Sequence, residues 1–201
     1  NWLASGPGVG IQVRTGQHKG RLVVPMANSI GGQYGVHTIY SDDLGKTWKA
    51  SNRIAGGCNE AQLVERGDGS LMLNMRMQQN SRHKRALSFS KDAGATWSKL
   101  SHDDELNDPI CQGSIIRNKD LLIFSNPATG GRNGMTVKIS KDFGETWAYK
   151  RLIYPASSAY SCLAVTKDQN VACLFEGGAP GNYSKHGIAI IIKPLTSYLN
   201  D

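Results

Sequence analysis

No stretch of this chain carries apolar residues at helical spacing for as much as three turns. Short runs of β-branched and apolar residues recur instead, each bounded by Gly, Pro, Asn or Asp, and such runs predict strands. The first group is residues 11–13, 21–27 and 36–40, then a strand opening at Trp48. The second is 61–65, the turn Arg66-Gly67-Asp68-Gly69, 70–77 and 85–89. The third is 113–117, the turn Asn118-Lys119-Asp120, 121–125 and 135–139. The fourth is 160–165, a turn at 167–170, 171–176 and 187–193. The opening segment Asn1 to Gly8 reads as turn-like.

One motif punctuates these groups. Ser41-Asp42-Asp43-Leu44-Gly45-Lys46-Thr47-Trp48 returns as Ser90-Lys91-Asp92-Ala93-Gly94-Ala95-Thr96-Trp97 and as Ser140-Lys141-Asp142-Phe143-Gly144-Glu145-Thr146-Trp147. All three fit S-x-D-x-G-x-T-W at a period of about 50 residues, which marks a repeat fold. The Asp side chain accepts from backbone N–H groups just ahead of it, and the Gly takes the positive φ of a tight reversal. The Trp supplies an apolar plate and opens the next strand. These Asp residues are therefore scaffold rather than catalytic groups.

Four antiparallel strands per period describe a β-propeller blade. A β-helix coil is too short for this period, and a sandwich gives no reason for regular repetition. The fold class is all-β, a propeller with about four blades in a single domain over residues 1–201. In an up-and-down blade, the start of strand 1, the end of strand 2 and the loop joining strands 2 and 3 share one face. That periodicity gathers Glu60, Arg76, Arg132, Tyr160 and Glu176 on one rim, where propellers bind ligands.

Composition narrows the partners. The formal net charge of +7 suits anionic ligands. The densest basic run, Arg82-His83-Lys84-Arg85, falls in an expected solvated loop, so no nucleic-acid partner is expected. No run of about 18 apolar residues exists to span a membrane as a helix, and no signal peptide is visible. The cysteines Cys58, Cys111, Cys162 and Cys173 lack metal-ligand spacing, so no metal site is expected. Closing the last hairpin at 167–170 sets Cys162 opposite Phe175 and Cys173 opposite Ala164. They are then diagonal neighbours, so free buried thiols are expected.

A planar guanidinium pair facing one pocket suits a carboxylate. A Tyr hydroxyl, with an unperturbed pKa near 10, becomes a nucleophile when a base such as Glu takes its proton. On these residues the chain resembles the exo-α-sialidases of the bacterial and lysosomal type. The repeated box is similar to that family's Asp-box, and more specific matches surround it. These are Gly6-Pro7-Gly8-Val9-Gly10-Ile11-Gln12, Asn59-Glu60-Ala61-Gln62-Leu63-Val64-Glu65 and Asp68-Gly69-Ser70-Leu71-Met72-Leu73-Asn74-Met75-Arg76. Pro109-Ile110-Cys111-Gln112-Gly113-Ser114-Ile115, Phe124-Ser125-Asn126-Pro127 and Ser158-Ala159-Tyr160-Ser161 follow in the family's order.

The resemblance implies a six-bladed propeller, a retaining mechanism and terminal sialic acid on a glycan as substrate, in a secreted or lysosome-like compartment and with no cofactor. It implies Tyr160 as nucleophile, Glu60 as its base, Arg76 and Arg132 as two of three arginines on the sugar carboxylate, and Glu176 as the group orienting the third. The physics agrees, because an anionic nucleophile would be repelled by the carboxylate on the anomeric carbon. A neutral Tyr relayed to Glu avoids that repulsion.

The chain departs from the family in lacking the F-R-I-P stretch with its arginine and the acid/base Asp that follows. Arg14 and Arg21 lie in other surroundings, and Asp103, Asp104 and Asp108 lie in the loop expected after the second box. Arg132-Asn133-Gly134-Met135 also replaces the family's Asn directly before Met. If the lost groups are truly absent, the alternative is a propeller module that binds sialylated glycans without cleaving them. A four-blade arc leaves strand edges open at both ends. The missing blades are therefore expected from an N-terminal segment, another chain or self-association, and size-exclusion chromatography of this chain should show association rather than a well-behaved monomer.

Overall fold

The computed structural model describes residues 1–79, 82–178 and 187–200. They fall into two compact units, Asn1–Asp104 and Glu105–Asp201. The first unit begins with β1 (Trp2–Ser5), β2 (Ile11–Gln12), β3 (Leu22–Ile30), β4 (Gln33–Ser41), β5 (Lys49–Ala50) and β6 (Ile54–Ala55). These make one sheet in the order β1-β3-β4-β5, with β2 also on β3 and β6 also on β4. Then come β7 (Cys58–Glu65), β8 (Leu71–Met77), β9 (Lys84–Ser90) and β10 (Ser101–Asn107), a four-stranded sheet in the order β10-β9-β8-β7. That is the meander expected of one period.

The second unit carries β11 (Ser114–Asn118), β12 (Leu121–Pro127), β13 (Asn133–Ser140), β14 (Tyr149–Val165), β15 (Asn170–Gly177), β16 (Gly187–Pro194) and the short helix α1 (Thr196–Leu199). Its six strands pair in chain order. The 17-residue β14 serves two sheets. Its first half pairs with β13, from Ile139↔Tyr149 to Asn133↔Ser157. Its second half pairs with β15, from Ser158↔Gly177 to Val165↔Val171.

The three boxes are the same object three times. In the first, Ser41 Oγ accepts the Gly45 N–H at 2.8 Å and donates to Asp43 Oδ1 at 2.8 Å. Asp43 then accepts the Thr47 N–H at 2.8 Å and its hydroxyl at 2.6 Å. The second and third boxes repeat this set through Ser90, Asp92 and Thr96, and through Ser140, Asp142 and Thr146. Two successive residues in each box take positive φ, and the first is never Gly: Leu44 at 59°, Ala93 at 54° and Phe143 at 57°. A left-handed L-residue costs about 1–2 kcal/mol. The hydrogen bonds to the Ser hydroxyl and the Asp carboxylate offset that cost. The Thr47 hydroxyl and amide bonds hold the Asp43 carboxyl down at about 2. Partial burial works the other way on Asp142, but bonds from Thr146 and Ser140 outweigh it and hold that carboxyl at about 2 as well.

The box tryptophans diverge. Trp147 is fully buried against Phe124, ring centroids 5.9 Å apart. Trp97 is 6% exposed and its Nε1 donates to Thr38 Oγ1 at 2.8 Å, while Thr38 donates to the Gly94 carbonyl. The second box thereby fastens onto β4, over an apolar cluster that includes Val23, Val36, Leu63, Leu73 and Met75. Trp48 is 42% exposed and bonds only its own turn, at the Gly45 carbonyl.

Several expectations are corrected. The tryptophans do not open strands: β5 starts one residue after Trp48, β14 two after Trp147, and β10 only at Ser101. The turn-like opening contains β1, paired from Trp2↔Ser29 to Ser5↔Met26, and its four exposed residues carry no alternation to read. β3 and β4 run on to Ile30 and Gln33 around Gly31-Gly32, because Asn28 and Ser29 are buried polar residues that break the apolar signal. Asp103 and Asp104 lie in β10 rather than a loop. Lys84 and Arg85 open β9, and Arg85 is fully buried with its Nε donating to Asn74 Oδ1 at 2.7 Å.

The last hairpin is also one register position off expectation, pairing Cys162↔Leu174 and Leu163↔Cys173. None of the four cysteines forms a disulfide among the described residues, but Cys162 is exposed rather than buried. Burial raises the Cys58 thiol to about 11 and the Cys173 thiol to about 12, so neither is a nucleophile near neutrality. After β16 the chain forms α1, whose Tyr198 packs into the apolar cluster of the second unit. Trp97→Ala is expected to destabilise the protein by about 3–5 kcal/mol and Trp48→Ala by under about 1 kcal/mol, read by urea denaturation.

Candidate functional site

The same backbone device presents site residues in both units. Between β7 and β8 the register shifts from Cys58↔Met77 to Ala61↔Met75, so Asn59 and Glu60 together oppose Arg76. Between β14 and β15 it shifts from Ser158↔Gly177 to Ser161↔Phe175, so Ala159 and Tyr160 together oppose Glu176. Each is a β-bulge, which re-aims a side chain and interrupts the ladder. Glu60 and Tyr160 hold equivalent positions two repeats apart, as do Arg76 and Glu176. Tyr160 therefore stands inside the continuous β14, where the ladder passes from β13 to β15, and not at a strand start as expected.

In the first unit, Arg76 Nη1 donates to Glu60 Oε2 at 2.7 Å. Both side chains are largely buried. The Glu60 N–H is bonded by Asn59 Oδ1 at 2.7 Å, and Arg76 Nη2 donates to Gln78 Oε1. Asn59 Nδ2 reaches the same Gln78 oxygen at 3.4 Å. An arginine paired this way offers a carboxylate ligand an oriented fork whose own charge is already partly balanced.

In the second unit, the Arg132 guanidinium carbon lies 5.7 Å from the Tyr160 ring centroid, within cation–π range. Arg132 Nη2 donates to the Ile110 carbonyl at 3.1 Å, and the Arg132 carbonyl accepts the Ser158 N–H at 2.9 Å. Glu176 Oε2 accepts the Tyr160 N–H at 3.2 Å. Within this unit Glu176 thus meets the tyrosine backbone. The structure brings Glu60 together with Arg76, and Tyr160 together with Arg132 and Glu176.

Sequence reasoning assigned no role to Asn59, Gln78 or Gln112. Asn59 and Gln112 stand in motifs that were recognisable, but amides that bond backbone or neighbours leave no spacing pattern to read.

Against this geometry the comparisons are specific. Residues 1–173 match the BNR repeat-like domain, a span that holds all three boxes together with Glu60, Arg76, Arg132 and Tyr160. The sialidase of Bacteroides fragilis is 37% identical over 191 residues, covering 87% of this chain and 34% of that protein. The sialidase of Micromonospora viridifaciens is 33% identical over 195 residues, covering 90% of this chain and 30% of that protein. Among solved structures, the Hadza microbial sialidase Hz136 superposes with a TM-score of 0.81 at 33% identity, over 98% of this chain and 38% of that one.

The chain belongs to the exo-α-sialidase family with BNR repeats. Its fold is of the sialidase β-propeller class. It spans about a third of the length of the relatives it matches. Within this sialidase-family chain the Arg76–Glu60 pair is a structural element in its own right, since removing one partner strands a largely buried charge. Arg76→Met is expected to destabilise the protein by about 2–3 kcal/mol, and Glu60→Gln, which keeps an acceptor oxygen, by about 1 kcal/mol, measured by urea denaturation.

Proposed function

We propose that this chain forms part of a retaining exo-α-sialidase that removes terminal sialic acid from glycoconjugates. Tyr160 attacks the anomeric carbon, its proton passing to Glu60, and the aglycone leaves with the glycosidic electron pair. Water then displaces the Tyr160 oxygen from the sugar. Arg76 and Arg132 hold the sugar carboxylate, and Glu176 orients the third arginine of that set. The acid that protonates the leaving oxygen is not among the residues assigned in this chain. The observation that carries the reading is the Arg132–Tyr160 packing at 5.7 Å, with Glu176 bonded to the Tyr160 amide. A phenol beside a guanidinium is suited to attack a carbon bearing a carboxylate, because the cation offsets negative charge on both partners as they meet. Bond formation at that carbon requires no metal or organic cofactor.

One observation favours a second reading, a module that binds sialylated glycans without cleaving them. Arg76 Nη1 already occupies Glu60 Oε2 at 2.7 Å, so that oxygen is engaged within its own sheet rather than open to a phenol's proton. Turnover of an aryl sialoside beside calorimetry with free sialic acid separates the two, since binding without turnover supports the module. In the full-length protein, Tyr160→Phe is expected to lower kcat at least about a hundredfold with sialic acid affinity held within about threefold. Unchanged turnover ends the nucleophile assignment.

A further inference from the structure

Residues 108–114 make three contacts that meet around Tyr160. Ile110 is held at φ 55°, a left-handed conformation that is strained for a β-branched residue. The turn is closed by the buried Asp108, whose Oδ1 accepts the Cys111 N–H at 3.2 Å. This conformation presents the Ile110 carbonyl that receives Arg132 Nη2. Two residues on, Gln112 is 5% exposed and bonds both backbone groups of Ser161. Its Oε1 accepts the Ser161 N–H at 2.9 Å and its Nε2 donates to the Ser161 carbonyl at 3.0 Å. Ser114 Oγ then accepts the Leu163 N–H at 3.1 Å. Gly113 keeps this segment close to the sheet, because a Cβ there would stand 2.7 Å from the Phe124 ring.

The Gln112 carboxamide therefore behaves as one rung of a ladder, supplied by a side chain. It acts where β14 needs it, at the residue that ends the bulge bearing Tyr160. A bulge is the least constrained point of a strand, since its extra residue has no rung of its own. Tyr160 is thus fixed by Glu176 at its own amide and by Gln112 one residue later. The neighbouring Ile110 carbonyl sets the guanidinium above its ring. One short segment consequently places both the phenol and the cation.

We infer that Gln112 is a positioning residue for Tyr160, acting by fixing the bulge through both backbone groups of Ser161. This rests on the proposed role of Tyr160 as nucleophile. Misplacing a nucleophile by about 1 Å lowers rate about a hundredfold while ground-state binding survives.

The test is Gln112→Glu in the full-length protein. An ionised carboxylate at this site still accepts the Ser161 N–H but repels the Ser161 carbonyl, whereas a protonated carboxyl accepts one and donates to the other. At pH 7.5 kcat for an aryl sialoside is expected to fall about 10- to 100-fold, with affinity for free sialic acid within about threefold of the parent. As pH falls towards 5 the introduced carboxyl takes up its proton, and the ratio of variant to parent kcat is expected to recover about tenfold. Gln112→Met keeps the shape without either bond and is expected to lose kcat with no recovery, and to speed hydrogen exchange at the Ser161 amide. A variant-to-parent ratio that stays constant with pH for Gln112→Glu, or a Gln112→Met protein with parental kcat and exchange, overturns the inference.

Tyr160→Phe in the same assay separates the two claims. If it leaves turnover unchanged, the nucleophile reading fails and Ser161 exchange alone reports on the bulge. If it abolishes turnover while Gln112→Glu does not lower it, only the positioning role fails.

Discussion

A serine hydroxyl that accepts a glycine amide while donating to an aspartate is the bond on which each repeat depends. It occurs at Ser41, Ser90 and Ser140, and in each case it holds two consecutive residues in left-handed geometry. Without it, Leu44, Ala93 and Phe143 would have no compensation for conformations that L-residues avoid. The aspartate's second oxygen then takes the Thr hydroxyl, which turns the chain and delivers the Trp three residues after the Gly has reversed it. A set of local bonds thus decides where a large apolar ring is offered for packing.

What becomes of that ring depends on its neighbours. Trp97 and Trp147 are buried, one bonded to Thr38 and one tilted on Phe124, whereas the identical motif leaves Trp48 exposed. The turn is therefore autonomous and the packing is not. The same division runs through the strands. β14 continues without a break from one sheet into the next, so that a residue of the second sheet's opening strand, Tyr160, sits in the middle of an uninterrupted strand.

The candidate site shows economy of construction. Glu60 and Tyr160 occupy the same bulge in two different repeats, and Arg76 and Glu176 the same opposing position. Changing the side chains at one repeated backbone feature yields an acid–guanidinium pair in one case and, in the other, a tyrosine whose backbone amide is held by a carboxylate. Around Tyr160 the supporting bonds come largely from side-chain amides and backbone carbonyls, notably Gln112 and Ile110. Such groups carry no net charge. They set position without adding charge.

The amino-acid sequence by itself determined the repeat, its period, the turns at Arg66–Gly69 and 167–170, and the identity of the box, because each rests on bonds between residues a few positions apart. Strand edges rich in polar residues escaped it: Asn28 and Ser29 extend β3, and the Ser-His-Asp-Asp-Glu run lies in β10, since pairing rather than apolarity makes them strands. The burial of Arg85, the one-residue register of the last hairpin, the Glu60–Arg76 pair and the Gln112–Ser161 rung were decided only by tertiary structure. Each of these joins groups from different segments of the chain, 49 positions apart for Gln112 and Ser161. Which of many polar side chains meets which is then set by how the strands register and bulge.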